Sequence, residues 1–286
     1  MPEAVIGIIG GTGLYDLDGL AHVQEVRVPT PFGEPSDVLV VGEFDGRGVA
    51  FLPRHGRGHR ITPTELNQRA NMWALKSLGV ERVLSISAVG SLREELRPLD
   101  MVIPDQLVDR TRSRTDTFFG DGIVAHVGLA EPFCPELRTL LIDAGQQAGA
   151  TIHQGGVYVV IEGPQFSTKA ESRLYRSWGM DIIGMTALPE ARLAREAELC
   201  YGTIACVTDY DVWHEAAGDV TVEMVVRNLL ENVALSKAML RKAIPKIPKV
   251  RGCDCGSALQ HAILTAPDRI PPETKRRLEL LVGKYV

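Results

Sequence analysis

Two aspartates standing two apart, Asp209 and Asp211 in Thr208-Asp209-Tyr210-Asp211, are the side chains in this sequence best suited to proton chemistry on an organic substrate. At i and i+2 of an extended segment they point to one side, which suits paired hydrogen bonding. A carboxyl held in an apolar pocket has its pKa raised and can serve as a proton donor. Taken alone, the pair reads just as well as a helix cap or two solvated acids. Three loops shift that balance: Gly10-Gly11-Thr12-Gly13, Pro53-Arg54-His55-Gly56-Arg57-Gly58-His59-Arg60 and Ser87-Ala88-Val89-Gly90-Ser91. The first and third offer backbone N–H groups and hydroxyls to an anion. The second is densely cationic, and an arginine fork beside a histidine suits phosphate. Each follows a predicted strand, and in open α/β sheets such loops gather at one ligand crevice. Together they favour a phosphate site. Glu162–Ser167 and Gly184-Met185-Thr186 also follow strands, and Phe166 could stack on a planar base.

The elements that must carry these loops alternate short β-branched runs with longer helical stretches, the pattern of an α/β fold. Strands are expected at Val5–Ile9, Arg82–Ser87, Met101–Val108, Val157–Ile161 and Gly202–Thr208, with a hairpin of Val38–Gly42 and Val49–Pro53 around Asp45-Gly46. Thr62-Pro63-Thr64-Glu65 reads as a helix start, with a capping hydroxyl, Pro at the first position and Glu three residues on. That helix should end at Gly79. Further helices are expected at Glu136–Gln147, Lys169–Trp178, Pro189–Glu198 and Thr221–Ala243. The texture changes after Ala243, where Ile244–Gly252 is rich in Pro and Lys. Residues 1–243 therefore read as one α/β domain and 244–286 as a terminal extension with a Cys253-Asp254-Cys255 motif and short helices.

Other signatures fail. Asp16 stands where a dinucleotide fingerprint needs its third glycine, and neither a P-loop nor a Gly-x-Ser-x-Gly elbow occurs. Cys253-Asp254-Cys255 with His261 is open to reading as a partial metal site or a redox pair, but the spacing is wrong for a zinc finger; the motif is taken as a surface thiol pair, with no metal expected. The 286 residues carry 31 Lys and Arg against 36 Asp and Glu, a net charge of −5, which argues against nucleic acid as the partner. No run approaches the roughly 20 apolar residues of a membrane span. Met1-Pro2-Glu3 lacks the basic start of an export signal, so five cysteines are expected to be mostly reduced, in a cytoplasmic protein.

The stretch Phe51–Leu92, with Arg54-His55-Gly56, His59, Asn71-Met72-Trp73-Ala74 and Ser87–Leu92, resembles the trimeric purine nucleoside phosphorylase family. Glu162–Ser167, Met185-Thr186, Pro189-Glu190 and Thr208–Trp213 are similar to its methylthioadenosine phosphorylase branch. The resemblance runs from Ile6 to about Ile244. It implies a single domain with a central mixed β-sheet, partly barrel-like and flanked by helices. It also implies phosphorolysis of 5′-methylthioadenosine with no cofactor, inorganic phosphate being a co-substrate. Thr12, Arg54, His55, Ser87, Ala88 and Thr186 match the family's phosphate ligands. Asp209 matches the acid that protonates N7, and Asp211 the acceptor of the 6-amino group. Phe166, Ser167, Met185 and Tyr210 match base and sugar contacts, while Val222 and Val225 match the lining of the alkylthio pocket. His126 resembles a histidine that reaches the neighbouring site in a homotrimer. Gln165 departs from the pattern, standing where an Arg is common. An ionised carboxylate accepts hydrogen bonds and does not donate them, so Asp at both positions favours 6-amino over 6-oxo purines. The alternatives are a broader adenosine or 6-oxopurine nucleoside phosphorylase, and a non-catalytic nucleoside-binding protein.

Overall fold

Ile6–Gly10 form strand β1, buried along its whole length, as a strand covered on both faces must be. The computed structural model describes residues 3–11, 14, 17–214 and 221–286. In chain order β1 is followed by β2 (Ala21–Val26), β3 (Leu39–Phe44), β4 (Arg47–Pro53), helix α1 (Gln68–Ser77), β5 (Arg82–Ser91), β6 (Met101–Ile103) and β7 (Gln106–Arg110). Then come α2 (Pro135–Gln147), β8 (Ile152–Gln154), β9 (Val157–Ile161), α3 (Lys169–Ser177), β10 (Ile182–Gly184), α4 (Ala187–Glu196), β11 (Cys200–Asp209), α5 (Val222–Ala243) and α6 (Pro272–Val282). The strands form one mixed sheet in the order β2-β3-β4-β1-β5-β10-β9-β7. It branches at β5, which also pairs with β11, and β11 leads on to β6 and β8. This branching is the barrel-like part of the expected fold.

β5 organises the sheet because its two ends have different partners. Arg82–Ser85 pair in parallel with β1, Gly90 and Ser91 pair antiparallel with β10, and β11 runs along the strand from Arg82 to Gly90. One hydrophobic cluster joins the sheet to Met72 and Leu75 of α1, Leu193 of α4 and Leu278 of α6. A second joins it to Leu137 and Leu141 of α2 and Met239 and Leu240 of α5. Truncating one such leucine to alanine typically costs about 2–5 kcal/mol.

The hairpin forms where expected, with Asp45 and Gly46 at φ 50° and 71°, the values of a tight two-residue turn. Four expectations change. Thr62 and Glu65 do bond reciprocally, but they close an isolated turn; α1 begins at Gln68, where the Asn67 side chain accepts from Ala70 N–H. The stretch Met101–Val108 is two strands, because Pro104 and Asp105 break it. β5 continues past Ser87 to Ser91, since it still has β11 and β10 to pair with. β2 and β8 were not expected, and the strand ahead of Met185, expected without bounds, is β10; β8 and β10 have three residues each, too few to show a period. In α4, Leu188 is extended before Pro189, so regular helix starts close to the expected point.

The segment after α5 folds back on the domain. Leu259, Ala262, Ile270, Leu278, Leu281 and Val282 enter the first cluster, and Ile244, Ile247 and Cys255 the second. Buried Glu198 anchors it, accepting from Leu259 N–H at 3.0 Å and from Tyr285 Oη and Lys284 Nζ, both at 2.5 Å.

Candidate active site

Arg54 follows β4 and is 2% exposed. Its Nε donates to Glu190 Oε1 at 2.5 Å, Nη1 to the Ile86 carbonyl at 2.8 Å, and Nη2 to Ser85 Oγ at 2.7 Å and Glu190 Oε2 at 3.2 Å. Four of the five guanidinium N–H groups thus meet protein acceptors, which leaves one on Nη1 for a ligand. Tyr201 Oη and Ser85 Oγ also donate to Glu190 Oε2, at 2.8 and 3.1 Å. Arg54 is therefore as much a strut as an anion ligand: its charge is held in place by a buried carboxylate on α4.

His55, the next residue, has Nδ1 2.9 Å from the Ile61 carbonyl and stacks on His59 with ring centroids 4.3 Å apart. A carbonyl only accepts, so Nδ1 carries the proton and Nε2 the lone pair in the neutral ring. Burial, and then the Arg54 charge, push His55 down to about 4. It is neutral near pH 7, able to accept a hydrogen bond from a phosphate hydroxyl. Ser87 Oγ and Thr186 Oγ1 are 3.0 Å apart, both buried, joining β5 to the residue that follows Met185. Ala88 is half-buried in the same strand. Thr12 lies outside the described residues.

Asp209 and Asp211 are 6% and 5% exposed. They are not brought together by an extended strand. The β5–β11 register shifts between Val207 and Asp209, a bulge that turns Asp209 over Gly90. Asp211 lies in a turn at φ 49°, its N–H donating to Asp209 Oδ1 at 2.8 Å. A Cβ on Gly90 would stand 2.8 Å from Asp209 Oδ1 and 3.4 Å from Asp211 Cβ, so only glycine leaves room for both acids. Asp209 Oδ2 accepts from Thr208 Oγ1 at 2.7 Å. Burial is the leading cause that raises both carboxyls above the ordinary range, opposed at Asp211 by the neighbouring Ser172 and Ser167 hydroxyls and Val212 N–H. Asp211 Oδ2, Ser167 Oγ and Ser172 Oγ are buried yet make no hydrogen bond of normal geometry among the described residues. Unsatisfied buried polar atoms cost about 1–3 kcal/mol each, and a carboxylate oxygen with two such hydroxyls beside it describes the imprint of a polar ligand.

The remaining expected residues form the rim. Met185 is half-buried and packs where a Cβ on Gly163 would come within 2.4 Å of its sulfur, which fits the positive φ of Gly163. Phe166 is 43% exposed. Tyr210 donates its hydroxyl to the Glu94 carbonyl at 3.1 Å and stacks on His214, which directs its polar end away from the acids. Val222 and Val225 open α5 behind the cap of Thr221, Val222 exposed and Val225 half-buried. His126 is exposed, its N–H bonded to the Ala262 carbonyl, on a segment that the C-terminal tail holds. The fold thus joins Arg54, His55, Ser87, Ala88, Thr186, Asp209, Asp211 and Ser167 through β5 and its neighbours, and sets His126 apart.

Residues given no role in the sequence reading complete the site. Glu190, Ser85 and Tyr201 hold Arg54, and Ser172 on α3 faces Asp211. Arg114 ties the 162 and 185 loops together, its Nη1 donating to the Met185 and Leu188 carbonyls at 2.5 and 2.6 Å and its Nη2 to Glu162 O at 2.6 Å. Burial works against the charge of Glu162, but bonds from Thr64 Oγ1 and the Arg112 and Ser113 N–H groups, with Arg114, hold it down at about 2.

This geometry, an anion pocket at one end of β5 and a buried acid pair at the other, is that of a nucleoside phosphorylase, and the phosphorylase superfamily model matches residues 5–245. The chain belongs to that superfamily. Within it, the chain is 60% identical to the S-methyl-5′-thioadenosine phosphorylase of Koribacter versatilis, covering 99% of this chain and 97% of that one. It is 55% identical to the Geobacter sulfurreducens protein of the same name, covering 99% and 100%. Among solved structures, a methylthioadenosine phosphorylase from an Antarctic soil metagenomic library superposes with a TM-score of 0.93 at 49% identity, covering 98% of this chain and 99% of that one. The Schistosoma mansoni methylthioadenosine phosphorylase in complex with adenine gives 0.84 at 39%, covering 90% and 96%.

Proposed function

We propose that the chain catalyses phosphorolysis of 5′-methylthioadenosine to adenine and 5-methylthioribose 1-phosphate, in purine and methionine salvage. The carrying observation is the acid pair: Asp211 has an unpartnered buried oxygen, and Asp209 lies 2.8 Å from its backbone N–H. Burial raises both carboxyls above the ordinary range, which favours holding a proton on one of them. With the proton on Asp209, that residue donates to purine N7 while ionised Asp211 accepts from the 6-amino group. The C1′–N9 bond then breaks toward a neutralised leaving group, through an oxocarbenium-like state. Phosphate, in the pocket of His55, Ser87, Ala88 and Thr186 with the free N–H of Arg54, forms the new C1′–O bond and stabilises the developing cation. His55 Nε2 accepts a hydrogen bond from the phosphate hydroxyl; that proton passes to solvent with the sugar phosphate, and Asp209 recovers from solvent the proton it gave to the base, so the balance closes.

The reaction needs no cofactor beyond inorganic phosphate. No helix among the described residues is long and apolar enough to cross a membrane. No cysteine is in a disulfide among the described residues, which supports a reducing, cytoplasmic setting. The exposed His126 supports a homotrimer in which it enters a neighbour's site, and sedimentation velocity tests that assembly. The substrate is tested by comparing turnover of methylthioadenosine, adenosine and methylthioinosine with and without phosphate. Methylthioadenosine should be preferred and should react only with phosphate; preference for methylthioinosine would overturn the roles of Asp209 and Asp211.

A further inference from the structure

Four of the five cysteines meet at one point, remote in sequence from one another. Cys134 is the N-cap of α2, Cys200 opens β11, and Cys253 and Cys255 lie in the tail. Their sulfurs all lie within 4.8 Å of one another, with Cys200 Sγ 3.4 Å and Cys134 Sγ 3.6 Å from Cys253 Sγ. The expected surface thiol pair is therefore part of a core cluster: Cys134, Cys200 and Cys255 are buried and Cys253 is half-buried. His261 is exposed, outside the group.

From this geometry we propose that Cys134, Cys200, Cys253 and Cys255 form a tetrathiolate site for a structural zinc ion. Zinc binds thiolates tetrahedrally at about 2.3 Å, which sets sulfurs roughly 3.8 Å apart, so the observed group closes around an ion with small side-chain movements. Disulfides would need sulfurs in pairs at about 2.0 Å, and here Cys253 is nearly equidistant from two partners. The surroundings suit stored negative charge. The first turn of the 13-residue helix α2 presents its N-terminus to Cys134. Glu131, Glu136, Asp254 and Arg195 line the cleft that opens onto Cys253 and Cys255, giving a cation a net acidic path from solvent.

The chemistry is closed, with four protein ligands and no position for water, so the ion is structural. It would clip the tail to α2 and β11. Cys206 is the internal control, buried and bonded to Ser236 Oγ at 3.4 Å.

Elemental analysis of the full chain, purified without chelating resin or chelator, should find one zinc per chain and five titratable thiols after denaturation in chelator. Cobalt loaded into the reduced, metal-stripped chain should show the visible bands of a tetrahedral thiolate complex. Cys206→Ser should keep the zinc and Cys253→Ser/Cys255→Ser should lose it. If the double variant does not fold, zinc content and the cobalt spectrum of the wild type still decide. Zinc far below one per chain, with no uptake by the reduced protein, would overturn the site. So would a single titratable thiol with two disulfides mapped by mass spectrometry.

Discussion

Asp211 N–H donates to Asp209 Oδ1 at 2.8 Å, so the acid at the end of β11 fixes the backbone that presents the second acid. The two are one device, since the turn holding Asp211 at φ 49° rests on the side chain of Asp209. Substitutions at the two positions should nonetheless differ in what they change.

On the proposed mechanism Asp209→Ala removes the proton donor. General acid catalysis contributes typically about 10²–10⁴-fold, and kcat with methylthioadenosine should fall within that range. Steady-state kinetics at saturating phosphate measure it. A kcat within threefold of wild type would remove Asp209 from the proton transfer.

Asp211→Asn turns an acceptor into a group that also donates, and a 6-oxo purine can then bond there. A lost or gained buried hydrogen bond is worth about 1–3 kcal/mol, roughly ten- to a hundredfold in relative kcat/KM. Competition between methylthioadenosine and methylthioinosine reads the shift directly. Unchanged selectivity would show that Asp211 does not face the 6-position.

Glu190→Ala leaves the Arg54 guanidinium buried without its countercharge. Breaking one side of a buried ion pair costs about 3–5 kcal/mol, and a urea midpoint should fall accordingly. The KM for phosphate should also rise in Glu190→Gln, which keeps the shape but lets the arginine move. Normal phosphate affinity in that variant would mean that Arg54 is held well enough by Ser85 and Ile86 alone.

Stability should vary with pH through two groups of opposite sign. Burial raises Glu196 to about 7 despite bonds from Phe118 N–H and Thr117 Oγ1. Its favourable contribution is complete below the ordinary value of 4.5 and is lost as pH rises through about 7, on the order of 3 kcal/mol in full. His55, lowered from 6.5 to about 4, favours the folded state above 6.5 and loses that contribution as pH falls through 4. Between pH 5 and 6.5 the two contributions nearly cancel, so thermal melts should give an almost level Tm there, with a small fall toward pH 7; in Glu196→Gln, where His55 acts alone, Tm should rise with pH up to about 6.5. The same profile in both proteins would assign the pH dependence to other groups.

What could be read in the sequence was what is local. Arg54-His55 and Asp209-x-Asp211 stand out because both halves of each motif lie within three residues. Glu190 did not, because its partner Arg54 is 136 positions away and a Glu in the first turn of a helix already has a local explanation. Arg114 sits in a polar stretch that reads as surface, and only the fold shows it gripping four carbonyls. The Thr62–Glu65 signal was real but satisfied by a single turn. The cysteine cluster was hidden for the same reason as Glu190, since only Cys253 and Cys255 are neighbours in the chain.

β5 does more than join the two halves of the site. Ser87 stands at one end of the site and Gly90 beneath the two acids, three residues apart and so roughly 10 Å along the strand. On the proposed chemistry that strand is a ruler, set by backbone geometry, for the distance from a phosphate under the sugar to the far edge of the base. Exchanging side chains can change which base is read. A ligand of a different length could be fitted only by shifting the β5–β11 register, which would send every side chain of the strand to the opposite face.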